Sequence, residues 1–222
     1  MEKTLSKILS EAAGAMGIAL GERELSLFAT YYRELLAWNS KINLLSVKSD
    51  QDIVIKHFID SLTLLPYIRD ETCRVLDIGS GAGFPGIPLK IALNSVKVSL
   101  LESSRKKSSF LKHVIRSLGL TDAVVINSRA ECLMEDETYS GYFQIVASRA
   151  TAKLPVFLRM GAFFLAPNGF LIAMKGKKSD QEQTEAAGIS HSLGLKYIGS
   201  HDLTLPMTGD FRRIIIYKKL SL

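Results

Sequence analysis

The feature that most constrains this chain is the stretch RVLDIGSGAGFPGIP, from Arg74 to Pro88. The apolar residues Val75, Leu76 and Ile78 run straight into four glycines, Gly79, Gly81, Gly83 and Gly86, and then into a proline-led apolar segment. This pattern predicts strand, glycine turn and helix, in which backbone amides approach a ligand closely and a helix N-terminus favours an anionic group. Gly81, Gly83 and Gly86 also satisfy G-x-G-x-x-G, the spacing of dinucleotide sites. A plain turn needs no such density of glycine, which costs unfolded-state entropy.

Asp77 bears on the choice of ligand. A carboxylate at the end of the strand repels a pyrophosphate, yet it suits the ammonium and sulfonium of S-adenosylmethionine, whose own carboxylate can sit near the helix N-terminus. Glu102 closes the next predicted strand, nineteen residues after Gly83. An acidic side chain at that point of a doubly wound sheet accepts hydrogen bonds from two ribose hydroxyls; the plainer reading is a surface charge balancing Arg105, Lys106 and Lys107. After the third predicted strand, SRAEC (Ser128 to Cys132) sets Ala130 and Glu131 beside an adenine ring or leaves them in a simple loop. Arg149, in SRATAKLP at the end of the fourth strand, reads as a clamp on phosphate or ligand carboxylate, or as half of a helix-end ion pair. Lys175, just past the fifth strand, reads in the same way.

The remainder of the chain divides in two. Residues 1–70 are helical. Apolar residues recur at Leu5, Ile8, Leu9, Ala12, Ala13 and Met16, then at Leu25, Phe28, Ala29, Tyr32, Leu35 and Leu36 from about Glu22 to Trp38. A third helix starts at a capping box of Ser49 and Asp52 and carries Ile55, Phe58, Ile59 and Leu62 on one face. Residues 71–222 alternate strands with helices, which implies right-handed crossovers and a mostly parallel sheet. The last two strands, Lys196 to Leu203 and Arg212 to Lys219, flank the turn PMTGD and are expected to pair antiparallel. No linker separates the halves, so the helical extension is expected to pack on the sheet.

A formal charge of +6 with clusters such as Arg105-Lys106-Lys107, Lys175 to Lys178, Arg212-Arg213 and Lys218-Lys219 favours a polyanionic partner, most often nucleic acid. Any single cluster is equally explained as solvated surface. Cys73 and Cys132 are too few for a disulfide framework and lack the C-x-x-C spacing that holds zinc, so a reducing cytoplasm and no metal are expected. The N-terminus has no targeting pattern, and the most apolar window, Pro155 to Pro167, carries Arg159 and is too short to span a bilayer.

The chain lacks the Asn/Asp-Pro-Pro-aromatic loop that often accompanies transfer to an exocyclic amine, and neither cysteine is placed for attack through a pyrimidine carbon. A ring nitrogen with a free lone pair, such as N7 of guanine, needs no deprotonation. Catalysis is then a matter of positioning and electrostatics, with no catalytic general base expected. Two other readings stay open on the residues alone: a nicotinamide-dependent oxidoreductase on a Rossmann fold, and a non-enzymatic RNA-binding module with a vestigial cofactor site.

Taken in order, LDIGSGAGFPGIPLKI, LLESSRKKSSFL, SRAE, ASRATAKL and MKG, preceded by WNSKINLLSV and KHFIDSL, resemble the small-subunit ribosomal RNA methyltransferase G family, also called glucose-inhibited division protein B. The resemblance spans roughly Tyr32 to Lys219. It implies a Rossmann-like α/β methyltransferase domain over residues 71–222 with an antiparallel C-terminal strand and an N-terminal helical extension. It also implies S-adenosylmethionine-dependent N7 methylation of one guanine in 16S ribosomal RNA, free or in the small-subunit particle, by a cytoplasmic monomer. Gly79 and Phe84 would line the cofactor pocket, beside the Asp77, Gly81 and Gly83 that the motif itself already points to; Glu102 would take the ribose-binding place, Ala130 and Glu131 would meet the adenosine end, and Arg149 would close it. Lys175 and Arg212 match basic positions assigned to RNA phosphate or the target guanine; His57 fits the head motif, as a substrate contact or a packed or hydrogen-bonded helix residue; and Arg105, from its basic cluster, is a further candidate for RNA contact.

Overall fold

A computed structural model describes residues 2–46, 49–68, 72–149, 152–177 and 179–221. Val47, Ala150, Thr151 and Lys178, which belong to the motifs and clusters above, lie outside the described residues.

Two amphipathic segments open the chain as α1 (Glu2–Ala15) and α2 (Glu22–Ile42). The second runs past the polar break expected after Trp38: Ser40 and Lys41 are exposed and need no burial, and the half-buried Asn39 has a hydrogen-bond partner at the helix exit. It closes at Asn43, whose left-handed φ of 53° is a helix-ending conformation that asparagine tolerates. Asn39 then braces the exit by accepting from the Leu45 amide at 2.7 Å. Helix α3 (Asp50–Ile53) begins where expected, with the Ser49 hydroxyl accepting from the Asp52 amide. It does not continue regularly: Val54–Ile59 is π-helical before α4 (Asp60–Leu62) resumes the ordinary winding.

The sheet follows as β1 (Arg74–Ile78), α5 (Gly86–Ala92), β2 (Lys97–Leu101), α6 (Arg105–Ser117), β3 (Ala123–Ile126), α7 (Ala130–Leu133), β4 (Phe143–Arg149), α8 (Leu154–Phe164), β5 (Leu165–Lys175), α9 (Asp180–Ser190), β6 (Leu195–Thr204) and β7 (Phe211–Lys219). Its seven strands lie in the order β3-β2-β1-β4-β5-β7-β6. The first five are parallel, and β7 is antiparallel to both β5 and β6. Strand order reverses between β1 and β4, so a crevice opens outside their carboxyl ends. The SRAEC stretch, expected as loop, contains the single turn α7.

Side-chain alternation sorts the strands onto two cores. Val75, Ile145, Ala147, Ile172, Ile214 and Ile216 face one side with α5, α6 and the N-terminal helices, while Leu76, Ile78, Val146, Leu171 and Ile215 face α8 and α9. On the first side Phe28, Tyr31, Phe58 and Phe84 form a continuous aromatic contact from α2 through the π turn to the glycine turn. The Tyr31 hydroxyl donates to the Ala82 carbonyl at 2.5 Å, which ties α2 directly to that turn.

Gly83 sits under this joint at a φ of 101°, and a Cβ there would lie 2.5 Å from Ile87 Cδ1 and 2.7 Å from the Tyr31 oxygen. Gly83→Ala is therefore expected to destabilise the fold by about 2–4 kcal/mol through backbone strain and overpacking. A denaturant midpoint equal to that of the unaltered chain would show that this joint is loose.

Candidate active site

At the carboxyl edge the chain builds two adjoining cavities. The first, about 680 Å³, is floored by Ile78, Gly79 and Leu101 and walled by the loops after β2 and β3 and by Ala152, Val156 and Met160. This volume falls in the range of roughly 300–1,000 Å³ typical of small-molecule sites. Gly79 and Gly81 turn the chain at φ of 72° and 59°, a conformation open to glycine at little cost. Gly79 and Ser80 donate to the Leu101 carbonyl at 2.8 and 3.1 Å. Glu102, nearly buried, accepts from the Gly81 amide at 2.9 Å and from the Ser104 amide at 2.7 Å. Each of its oxygens keeps a lone pair for a further donor. Ala130 and Glu131 also line this cavity.

Of the residues expected at the cofactor, Gly81, Gly83 and Glu102 are not among those lining this cavity, and Asp77, Phe84 and Arg149 project elsewhere. Asp77 and Arg149 share the strand parity of Val75 and Ala147 and so point to the side of the N-terminal helices, whereas the cleft opens toward α7 and α8. Asp77 is fully buried behind the turn and accepts from the Gly86 amide at 3.0 Å, at the start of α5; its Oδ1 has no hydrogen-bond partner among the described residues. Burial raises its pKa to about 7, with the Gly86 amide pulling the other way. Phe84 is buried among Tyr31, His57 and Phe58, with the Arg149 guanidinium 4.8 Å above its ring.

Arg149 instead lines the second cavity, about 440 Å³, together with Ser46, Lys56, His57, Asp60, Met174, Lys175, Gly176 and Arg212. Its Nη1 donates to the Lys56 carbonyl at 2.9 Å, and its Nη2 to His57 Nδ1 at 2.9 Å. Asp60, 2% exposed, joins two arginines: Arg212 Nε at 3.0 Å and Arg149 Nη1 at 3.4 Å. Lys175 reaches back to the Ala152 carbonyl at 2.6 Å and to Glu182 at 2.8 Å. Since Ala152 lines the first cavity and Arg149 the second, the end of β4 is the partition between them. Arg105 stands on α6 outside both cavities. Among the described residues no group of three or more His, Cys, Asp or Glu is arranged to hold a metal.

The family model for rRNA small subunit methyltransferase G matches residues 24–198. The chain is 48% identical over 214 residues to the ribosomal RNA small subunit methyltransferase G of Syntrophus aciditrophicus, covering 96% of this chain and 89% of that one. It is 38% identical to that of Geotalea uraniireducens over the full length of both. The chain belongs to the ribosomal RNA small subunit methyltransferase G family. Membership sets aside the oxidoreductase and the non-enzymatic module. The fold is also similar to the crystal structure of M. jannaschii TYW2 in complex with AdoMet, with a TM-score of 0.56 at 17% identity over 72% of this chain and 74% of that one.

In this methyltransferase the sequence reading named His57, Arg149, Lys175 and Arg212 separately, and the structure brings all four to one cavity. It missed Asp60, which holds two of them. The signal was present: an aspartate between Ile59 and Leu62 on an apolar helical face is a buried charge that requires partners. His57 illustrates the resulting electrostatics. Burial first, then Arg149 and Arg212, push its pKa down to about 3. Arginine only donates, so Nδ1 is the acceptor and the ring proton sits on Nε2.

Because the unfolded histidine titrates near pH 6.5 and the folded one near 3, the unfolded state binds the extra proton between these values, and stability falls as pH drops through that window. Asp77 acts in the opposite sense, its raised pKa removing stability as pH rises toward 7. Comparison with His57→Gln isolates the first effect: the loss of stability between about pH 6.5 and 4 should be shallower in the variant. Nitrogen chemical shifts of His57 should report one neutral tautomer, protonated on Nε2, from pH 8 to 5.

Proposed function

We propose that this methyltransferase transfers the methyl group of S-adenosylmethionine to N7 of one guanine in 16S ribosomal RNA, with the cofactor in the first cavity and the nucleotide entering from the second. The observation that carries this reading is the pairing of a nucleoside-sized cleft with a cation-lined cavity across one strand end.

The residues of the first cavity fit S-adenosylmethionine. Gly79 lets main chain, not side chain, face the ligand; Ala130 and Glu131 flank the base end; Ile78, Leu101, Val156 and Met160 supply apolar wall; and Glu102, in sequence between the lining residues Leu101 and Ser103, has acceptor capacity for ribose hydroxyls. Asp77 serves at one remove by fixing the Gly86 amide and hence the turn. When bound, S-adenosylmethionine supplies a methyl group on a positively charged sulfur.

Purine N7 carries an in-plane lone pair and no proton, so the chain has none to remove. Its work is to hold the base. Lys56, Lys175 and Arg212 supply charge for the flanking phosphates, while Asp60 fixes the arginines so that little freedom is lost on binding. His57, neutral and protonated on Nε2, offers a donor suited to O6, the acceptor adjacent to N7 on guanine. The reading extends to a monomer, since both cavities are built from one chain, and to the cytoplasm, where such an RNA is processed, as free RNA or as the small-subunit particle. Among the described residues no helix is long and apolar enough to cross a membrane.

Incubation of the purified protein with 16S ribosomal RNA and labelled S-adenosylmethionine, followed by nuclease digestion and mass spectrometry, should yield 7-methylguanosine at one position. Arg212→Ala should raise KM for RNA about tenfold or more while leaving cofactor affinity unchanged. Methylation at another atom, or a variant defective in cofactor binding alone, would overturn the assignment.

A further inference from the structure

Helix α6 carries five cations, Arg105, Lys106, Lys107, Lys112 and Arg116, and no acidic residue. At 100° per residue, Arg105, Lys112 and Arg116 fall within a narrow strip opposite the buried Phe110, Leu111 and Val114, with Ser109 between them. All four strip residues are exposed. The strip is about 16 Å long at 1.5 Å per residue.

Its charges are uncompensated. Members of other basic clusters are engaged within the fold: Arg213 pairs with Asp180 and Asp202, and Lys219 donates to the Ala162 and Leu165 carbonyls. On α6 none of the five cations makes an ion pair with an acidic side chain among the described residues. The placement also opposes the helix macrodipole. Three cations occupy the first turn, where negative charge is favoured by about 0.3–1 kcal/mol per group. Local rules broken without internal compensation are a mark of function.

Position gives the strip a direction. Its N-terminal end begins two residues after Ser103, which lines the first cavity, and from there α6 runs along the face of the sheet opposite α7 and α8. A polyanion held at the cleft can therefore continue along α6.

We propose that the exposed strip of α6 is a docking track for the sugar-phosphate backbone of the substrate RNA, outside the target nucleotide, and gives sequence-independent grip. The inference rests on the RNA-methyltransferase reading, but it assigns a surface that neither cavity includes. Exposed cations on long stems suit phosphates, and phosphate contacts fix a protein's place on a nucleic acid without reading its sequence.

The test uses Lys112→Ala/Arg116→Ala, both remote from the two cavities. Binding of a 16S ribosomal RNA transcript is measured by filter retention across a salt series, with S-adenosylmethionine affinity measured by calorimetry. RNA affinity should fall at least tenfold near about 50 mM salt, and the slope of log affinity against log salt should become shallower by about 1.4, two released single-strand contacts at 0.7 each. Cofactor affinity should match that of the unaltered chain. Unchanged RNA affinity and slope would overturn the proposal. So would normal binding of the transcript with weakened binding of the assembled particle, which would assign the strip to a ribosomal protein. If the unaltered chain binds RNA through the strip but yields no 7-methylguanosine, the track stands and the proposed reaction fails.

Discussion

The arrangement at the carboxyl edge depends on one buried carboxylate. Asp60 comes from the N-terminal helices, Arg149 from the end of β4 and Arg212 from the start of β7, so three remote pieces of chain meet at a single point. Burial alone would favour the neutral acid, and the two guanidinium groups oppose that tendency. Removing one member of such a group leaves another charge stranded in a poor solvent, which makes the three interdependent. The floor of the second cavity is accordingly rigid, and the helical extension supplies part of its wall.

Much of this was legible in the sequence. The strand, turn and helix around Gly79, the alternation that follows and the antiparallel end all stand where periodicity and glycine placed them, because local pattern and global fold agree there. Illegible were features that arise from pairing across distance. Strand parity was available in principle: Asp77 and Arg149 each stand an even number of residues from apolar neighbours on the side of the N-terminal helices. Yet which side the cleft occupies is fixed only when α7 and α8 are in place. The reading of Asp77 as a ligand-facing acid thus gave way to a buried acid that holds the start of α5.

The two acids of the nucleotide motif share a structural logic. Glu102 grips the Gly81 amide and Asp77 the Gly86 amide, so the glycine turn is held at both ends by side chains from adjacent strands. Glycines that give the turn its shape would also leave it floppy in isolation. The carboxylates offset that freedom, leaving a preformed main-chain surface facing the cleft.

The π-helical segment Val54–Ile59 adds one further constraint. Its wide turn, in which the Asp60 amide reaches back to the Ile55 carbonyl, lies between the start of the helix and the acid that both arginines depend on. In an ordinary helix each residue advances the phase by about 100°, so a one-residue deletion that restored regular winding would swing Lys56, His57 and Asp60 out of alignment with β4 and β7. The nucleotide wall is therefore gauged by the length of this segment as much as by its chemistry, and its side chains work only while that extra wide turn keeps count.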